Sequence, residues 1–365
     1  MNVSHVRLKM GQMRRVLILS LLSLSLVFLI EGMVNQHLFY RGISHFQEIT
    51  ADGLKDLNFS LESDGVIEIT TSEVGPNEAF RVLFDGNFKK QDIKHIAENS
   101  EKKEMDLKID KKGLFNLFTR TKESEIILLI PKGTKLSAFN LDLLKGDLRL
   151  LHMTTEKLSL DLVEGDIFSK SIMANEAEIN SQKGDIVMED SQIDGQINNR
   201  DGKTILTHII GDLVINGDHG HTIIKELRSE VSELRTVDGK ITLENSQVTN
   251  LTSFAESGQN VVARTTGELT LGSTRGKIVS ESNQGELRTK NDSGVSIIID
   301  TEGMPSEVSS VSGFIKWIHD VSNPVQFKVS SKSGEVRNEL TDLESGPTIF
   351  IQSTSGDIRV IEKVK

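Results

Sequence analysis

Residues 162–167 read Leu-Val-Glu-Gly-Asp-Ile, and residues 181–186 repeat this unit, nineteen positions later, as Ser-Gln-Lys-Gly-Asp-Ile. A polar turn, a glycine, a charged residue and a β-branched residue or leucine return, with variation, from residue 146 to the last strand-like segment. The glycines that mark the repeat are Gly146, Gly165, Gly184, Gly202, Gly220, Gly239, Gly258, Gly276, Gly294, Gly313, Gly334 and Gly356. Their spacing of 18 to 22 residues predicts a repeat architecture.

Apolar and polar residues alternate on both sides of these glycines. Leu158, Leu160 and Leu162 are separated by Ser159 and Asp161, which is the period of a strand with one buried face. A period near 19 residues is too short for a propeller blade, which takes about 40–45 residues, and the unit has no helical segment of a leucine-rich repeat. The sequence therefore predicts an all-β fold: a single-stranded parallel β-helix, or β-solenoid, with about 19 residues per coil.

A second set of glycines falls near the middle of some periods and predicts an opposite corner in those coils. Its members are Gly195, Gly211, Gly267 and Gly285. The open ends of a solenoid are sheet edges that must be blunted. We expect residues 59–135 to cap one end, and the charged residues 362–365 to blunt the other as part of the last strand.

The N-terminus carries a basic segment followed by an apolar one. Residues 1–15 contain four basic residues and no acid, and residues 16–34 are almost entirely apolar. Two interpretations compete: a cleaved signal peptide, and an uncleaved anchor, which needs roughly 17–25 residues. We favour the anchor, a single N-terminal transmembrane helix, because no small-residue cleavage site follows. The basic side then faces the cytoplasm and the rest of the chain lies outside the cell membrane.

The predicted organisation has five segments: a cytoplasmic basic tail (1–15), a transmembrane signal anchor (16–34), a spacer (35–58), a β-rich cap with the first coils (59–135) and the solenoid repeats (136–365). Within the cap, the polar window 89–106 is expected to be an exposed loop.

Composition disfavours several classes of function. The net charge of −11 argues against nucleic acid as a partner. One Trp and one Tyr leave few platforms on which sugars or bases could stack, which argues against carbohydrate processing. The chain has no cysteine, so it forms no disulfide and carries no lipid-modified cysteine.

Residues 126–136 form an apolar run that ends in Pro-Lys-Gly-Thr-Lys-Leu, and residues 144–148 read Leu-Lys-Gly-Asp-Leu. With the Gly-Asp-Ile units that follow, this pattern resembles the bacterial "putative adhesin" domain family, and in particular the membrane-anchored adhesin-like protein of the Lia-type cell-envelope stress operon. The resemblance covers residues 55–365. It implies an exported single-stranded β-helix behind one membrane helix, and it carries over no catalytic residue.

Two groups of residues could carry chemistry. Residues 219–221 read His-Gly-His beside Asp218, and side chains two apart on a strand can share a metal ion. Gly220 marks a corner, however, so a turn that carries two histidines is the favoured interpretation. The second group consists of the acids after the glycines: Asp147, Asp166, Asp185, Glu268, Glu286, Glu335 and Asp357. A calcium roll needs Gly-Gly-x-Gly-x-Asp nonapeptides, which are missing, so we expect a solvated acidic edge.

The sequence thus predicts no catalytic, cofactor-binding or metal-binding residue and no enzyme activity. The expected function is that of a membrane-anchored scaffold, adhesin or accessory to envelope-stress sensing, with a cell-wall polymer or another envelope protein as partner. A β-helical polysaccharide-active enzyme and an end-to-end polymerising β-helix remain alternatives.

Overall fold

The structure, a computed structural model, describes residues 47–51, 56–63, 67–85, 93–99, 104–111, 124–299, 306–322, 324–340 and 346–363. The chain divides into two units, Met1–Phe46 and Gln47–Lys365, and every described residue belongs to the second. Within these ranges no helix is long and apolar enough to cross a membrane. The predicted basic tail (1–15) and anchor (16–34) lie outside the described residues and stay predictions.

The described residues form strands and no helix. The N-terminal strands are β1 (Gln47–Ala51), β2 (Asp56–Ser63), β3 (Ile67–Val74), β4 (Phe80–Asp85), β5 (Ile93–Asn99), β6 (Glu104–Lys111) and β7 (Ser124–Pro131). The central strands are β8 (Lys135–Leu151), β9 (Thr154–Glu164), β10 (Ile167–Lys170), β11 (Met173–Lys183), β12 (Ile186–Ile210), β13 (Leu213–Lys225), β14 (Arg228–Thr236), β15 (Lys240–Glu244), β16 (Gln247–Ala255), β17 (Gln259–Ala263), β18 (Thr266–Ser273), β19 (Lys277–Glu281), β20 (Leu287–Asn291), β21 (Val295–Ile299), β22 (Ser306–Ser310) and β23 (Phe314–His319). The C-terminal strands are β24 (Gln326–Ser331), β25 (Val336–Asn338), β26 (Thr348–Ser353) and β27 (Ile358–Glu362).

From β8 to β23, successive coils stack in parallel and in register. Ile167 in β10 pairs with Leu148 in β8 on one side and with Ile186 in β12 on the other, so equivalent positions of the repeat lie above one another. The same stacking reaches Ile315 in β23, which pairs with Ser296 in β21. This confirms the predicted parallel β-solenoid with about 19 residues per coil.

Each central coil turns at three corners. The first holds the register glycine, and the third holds the second glycine set or a bulge. The second corner is a column of non-glycine residues with φ between 48° and 58°: His152, Ser171, Asp190, His208, Glu226, Asn245, Arg264 and Ser282. The left-handed conformation is uncommon for residues other than glycine, and a short polar side chain such as Asp or Asn tolerates it best.

The core is one continuous column of inward-facing side chains. Isoleucine, leucine and valine dominate it, and the few aromatic residues include the fully buried Phe139 and Trp317. Each large aliphatic side chain buried in this way contributes about 1.5–3 kcal/mol relative to an exposed one. Because every inward position repeats from coil to coil, the apolar contacts run without a break along the stack.

At the N-terminal end, the order of the coils departs from the order of the chain. Strand β2 lies between β6 and β8, and β3 lies between β7 and β8. The coil of β2 and β3 is therefore inserted between two coils that come later in the sequence. Strands β4, β1 and β5 add antiparallel pairings to this end, β4 on β7, β1 on β4 and β5 on β6.

Two expectations for this region differ from the structure. Strand β1 and the start of β2 lie inside residues 35–58, the expected spacer, so the β unit begins before the predicted boundary. The loop predicted for residues 89–106 is wrong, because β5 and the first residues of β6 form an antiparallel pair there. Pairing satisfies those backbone N–H and C=O groups of β5 that face β6, so the two strands form without a strong apolar pattern.

At the C-terminal end the stacking order of the coils is again inverted relative to their order in the chain. Strand β26 lies between β22 and β24, and β27 lies between β23 and β25. The last coil of the chain is therefore held on both sides, and the preceding coil, β24 with β25, is outermost. The expectation that residues 362–365 blunt an edge on the last strand is wrong, because β27 is an inner strand.

Candidate functional site

The register glycines form a column in which backbone approaches backbone. A Cβ on Gly165 would lie 1.7 Å from the carbonyl oxygen of Gly146, and a Cβ on Gly220 would lie 1.9 Å from that of Gly202. The column continues to Gly313, then Gly356, then Gly334, in the inverted order of the last coils. Close approach, more than left-handed φ, is what excludes a side chain at these positions.

The acids that follow the first glycines bridge the coils. The Asp166 N–H donates to Asp147 Oδ1 (2.9 Å), the Asp185 N–H to Asp166 Oδ1 (2.7 Å) and the Lys203 N–H to Asp185 Oδ1 (2.8 Å). Glu335 N–H donates to Asp357 Oδ1 in the same way (2.8 Å). These carboxylates accept backbone hydrogen bonds between coils, which gives them a structural role.

The predicted acidic edge is not one column. Glu268 and Glu286 follow Gly267 and Gly285, the second glycine set, and so lie at the third corner. The remaining five acids lie at the first corner. Their column is interrupted in the middle coils, where Lys203 and equivalent residues replace the acid.

The two histidines flank the first corner and are exposed. His219 Nδ1 lies 3.6 Å from Asp238 Oδ2, on the next coil. No group of three metal-ligating side chains occurs among the described residues. Strand β13 runs through residues 219–221 and pairs there with β12, so the two histidines lie on a strand and not on the expected turn.

A groove of about 810 Å³ lies beside the third corner, over strands β8 to β14. Small residues form its floor, where Ala177 and Gly195 stack; a Cβ on Gly195 would lie 2.0 Å from the Ala177 carbonyl oxygen. The register shifts between Ala174 and Ala177, which forms a bulge at the rim. Side chains on the walls are Asn140, Lys157, Ser159, Asn175, Glu176, Glu178, Asp194, Gln196, Asp212, Val214 and Val231.

The rim of the groove is acidic and is fixed by hydrogen bonds. Asp194 Oδ1 accepts from the Asp212 N–H (2.8 Å), and Asp212 Oδ1 accepts from the N–H groups of Glu230 (2.8 Å) and Val231 (2.9 Å) and from Ser229 Oγ (3.0 Å). The hydrogen bond from Val231 N–H is the main cause that lowers the pKa of Asp212, and burial opposes it. Asp212 therefore stays a carboxylate and does not supply a proton near neutral pH.

A ladder of hydrogen-bonded amide side chains runs from coil to coil beside the groove. Asn180 Nδ2 donates to Asp161 Oδ1 (2.7 Å), Asn198 Nδ2 to Asn180 Oδ1 (2.7 Å) and Asn216 Nδ2 to Asn198 Oδ1 (2.9 Å). Asp142 lies one coil before Asp161. Burial, and then the carboxylate of Asp161, raise the pKa of Asp142. The groove and ladder together form a fixed polar surface with carboxylates, amides and one lysine, suited to bind hydrogen-bond donors and cationic groups.

Sequence comparison assigns this architecture to a family. The model of the family described as Toastrack DUF4097 matches residues 54–259, more than half of the chain. The chain belongs to the Toastrack DUF4097 family. This agrees with the resemblance inferred from the Pro-Lys-Gly strand end and the Gly-Asp-Ile units, while the relation to Lia-type operons stays a prediction. No curated protein matches the chain.

Among solved structures, the Toastrack chain is similar to a "putative cell adhesion protein" from Clostridium sporogenes, at 12% identity and a TM-score of 0.20 over 87% of this chain and 99% of that one. It is similar to a "putative adhesin" from Bacteroides fragilis, at 12% identity and a TM-score of 0.26 over 88% and 98%. It is also similar to a "putative lipid binding protein" from Parabacteroides distasonis, at 14% identity and a TM-score of 0.27 over 89% and 98%. At these TM-scores the similarities support no inference about function.

The groove of this Toastrack domain was not among the sequence-derived candidates. The signal that pointed toward it was the second glycine set, since Gly195 lines the groove and Gly211 directly precedes Asp212, which also lines it. The bulge at Ala174–Ala177 has no signature in a single sequence, because it follows from stacking a 19-residue coil on an 18-residue one.

Proposed function

We propose that this Toastrack protein is a non-enzymatic, extracytoplasmic binding protein of the bacterial cell envelope, anchored by residues 16–34. It acts as a scaffold, an adhesin or an accessory to the envelope-stress response. The observation that carries the proposal is the groove, in which the carboxylates of Asp194 and Asp212 are oriented by backbone hydrogen bonds from neighbouring coils. Carboxylates held in this way present a permanent acidic surface, which suits binding better than proton transfer.

The partner that fits the groove presents donors and cationic groups. Glu176 and Glu178 stand on its wall, and Lys157 Nζ lies 3.0 Å from Glu176 Oε2. A cell-wall polymer with amino groups, or a basic segment of another envelope protein, matches this lining.

The test is sedimentation of the full chain with purified cell walls. The double variant Glu176→Lys/Glu178→Lys reverses the charge of the wall, and Glu268→Lys/Glu307→Lys makes the same change in net charge on exposed residues outside the groove. We expect the first variant to lose binding and the second to retain it. Equal binding by both variants, or no binding by the wild-type chain, contradicts the proposal. Release of soluble sugar that depends on one carboxylate would replace it with the polysaccharide-active enzyme.

The anchor needs a separate measurement. N-terminal sequencing of the protein from the membrane fraction is expected to start at or near Met1, since an anchor is not cleaved. A start within residues 31–40 would show a cleaved signal peptide instead.

A further inference from the structure

The column of residues that follows the register glycines changes its charge along the solenoid. The first coils carry Asp147, Asp166 and Asp185. The next coils place Lys203, His221, Lys240, Gln259 and Lys277 directly above one another. We call these five residues the basic rail. Adjacent coils are about 4.8 Å apart, so Lys203 and Lys277, four coils apart, span roughly 19 Å.

The lysines of the rail have no acidic partner within the part of the chain that the structure describes. No ion pair or hydrogen bond involves the ammonium group of Lys203, Lys240 or Lys277 there. Several lysines elsewhere on the solenoid are paired, such as Lys135 with Glu156 at 3.1 Å and Lys145 with Glu164 at 3.5 Å. The ammonium groups of the rail are therefore available to an external anion.

An aliphatic stripe lies immediately beside the rail on the same face. Two residues after each rail position, the outward side chains are Ile205, Ile223, Thr242, Val261 and Val279, which also pair coil to coil and are half-buried. Apolar surface beside an ammonium group lowers the local dielectric and strengthens its attraction for an anion.

The columns on either side of the rail are mixed in charge. On one side, the residues before the corner glycines are Asp201, His219, Asp238, Ser257 and Arg275; on the other side, Lys225, Glu244, Ala263 and Glu281 pair coil to coil. The repeated lysines of the rail therefore form a line along the stacking direction, with acids on both sides of it at some coils. A linear molecule can follow this line, whereas a planar anionic membrane would also meet those acids.

We propose that the basic rail binds a linear polyanion of the phosphate-polymer class, extended along the solenoid axis. Lysine binds phosphate as a compact point charge, and lysines two coils apart stand about 9.6 Å from each other. A chain with phosphates closer together than this can place one group at each lysine. The site lies on a different face from the groove and has the opposite charge, so it goes beyond the proposed function and does not depend on it.

The test measures binding of the full chain to long-chain inorganic polyphosphate over a salt series from about 50 to 200 mM. The rail variant is Lys203→Gln/Lys240→Gln/Lys277→Gln. The control variant Lys135→Gln/Lys145→Gln/Lys183→Gln makes the same change in net charge at paired, exposed lysines. Loss of three phosphate contacts is expected to weaken binding at least tenfold and to reduce the slope of log K against log salt by about 2. The control is expected to stay within about twofold of the wild type.

A gain-of-charge variant separates binding from folding. His221→Lys adds a permanent charge to the rail and is expected to tighten binding about threefold, a result that misfolding cannot produce. Equal weakening by the rail and control variants, or no binding of polyphosphate by the wild-type chain at about 50 mM salt, overturns the proposal. Binding to anionic lipid vesicles that polyphosphate does not displace also overturns it.

Discussion

At the scale of single residues, position within the coil decides what each side chain can be. Gly217 and Gly220 lie three residues apart in one coil. A Cβ on Gly220 would meet the Gly202 carbonyl oxygen at 1.9 Å, whereas a Cβ on Gly217 would have no neighbour closer than 3.6 Å. The spacing of the glycines reveals the column, but only the stacking explains why the column tolerates no side chain.

Gly220→Ala is expected to destabilise the fold by about 2–4 kcal/mol, because two adjacent backbones must separate to admit the methyl group. The matched change Gly217→Ala is expected to alter stability by less than about 0.5 kcal/mol. Denaturant unfolding of both variants measures the difference. Equal effects would show that close approach is not what requires glycine at the first corner.

Asp142→Asn is expected to stabilise the protein at neutral pH. The change removes the repulsion between Asp142 and Asp161 and adds a donor to the amide ladder, for a gain of a few tenths of a kcal/mol up to about 1, reduced by solvent screening. Folding raises the pKa of Asp142. The ionised carboxylate therefore lowers the free energy of unfolding at pH values above that raised pKa, and this destabilisation disappears as the pH falls below it.

The measurement is the difference in unfolding free energy between Asp142→Asn and wild type from neutral to acid pH. Glu307→Gln, on an exposed strand position in a distant coil, is the control and is expected to show no such trend. A gain from Asp142→Asn that persists unchanged at acid pH would contradict the charge explanation.

At the scale of elements, the alternation of apolar and polar residues predicts the inward positions of strands such as β9 and β11, and the structure places them in the core. The second corner could not be predicted in the same way. His152, Asp190 and Arg264 share a left-handed backbone but no side-chain chemistry, so sequence offers no common signal. The groove could not be predicted from the sequence either, since its floor depends on the bulge between Ala174 and Ala177.

The third corner gives a prediction about acid stability. Folding lowers the pKa of Asp212. The stabilisation that its carboxylate gives to the folded protein is therefore complete above the ordinary Asp pKa near 3.9 and is lost as the pH falls through the lowered pKa. Asp212→Asn keeps an acceptor oxygen but removes the charge, and after solvent screening it is expected to cost at most about 1 kcal/mol at neutral pH and nothing in strong acid. Asp218→Asn, a change of the same kind at an exposed residue, is expected to be neutral throughout. A constant cost of Asp212→Asn across pH would assign its effect to geometry alone.

At the scale of the described unit, the inverted coil order is the feature least accessible to sequence. The coils near the C-terminal end show the same alternation of apolar and polar residues as the other coils, so this alternation alone does not determine their stacking order. Two paired positions favour the observed one: β27 has Ile358 and Val360 where β25 has Val336 and Asn338. The coil with the better apolar face is inside, and the poorer one is outermost.

A chain that stops after Leu340 tests this order. Within the described residues, β24 pairs with β26 and β25 with β27, so the truncation removes both partners of the outermost coil. Residues 326–340 are expected to become sensitive to proteases and to lose amide protection, while residues 306–319 stay folded. A chain that stops after Asp320 is the control and should show the same protection up to β23. Protection of residues 326–338 in the longer chain would mean that this coil stacks directly on β22 and β23.

The inverted stacking order of the C-terminal coils also determines when each coil can fold while the ribosome synthesises the protein from its N-terminus. Coils from β8 to β23 can each dock as soon as they emerge, because the coil below is already present. The coil of β24 and β25 emerges next but has no surface to join until β26 and β27 have also left the exit tunnel. The two C-terminal coils therefore complete their docking only after the whole segment from β24 to β27 has emerged, and a pause in synthesis within this segment leaves that end of the stack unfinished.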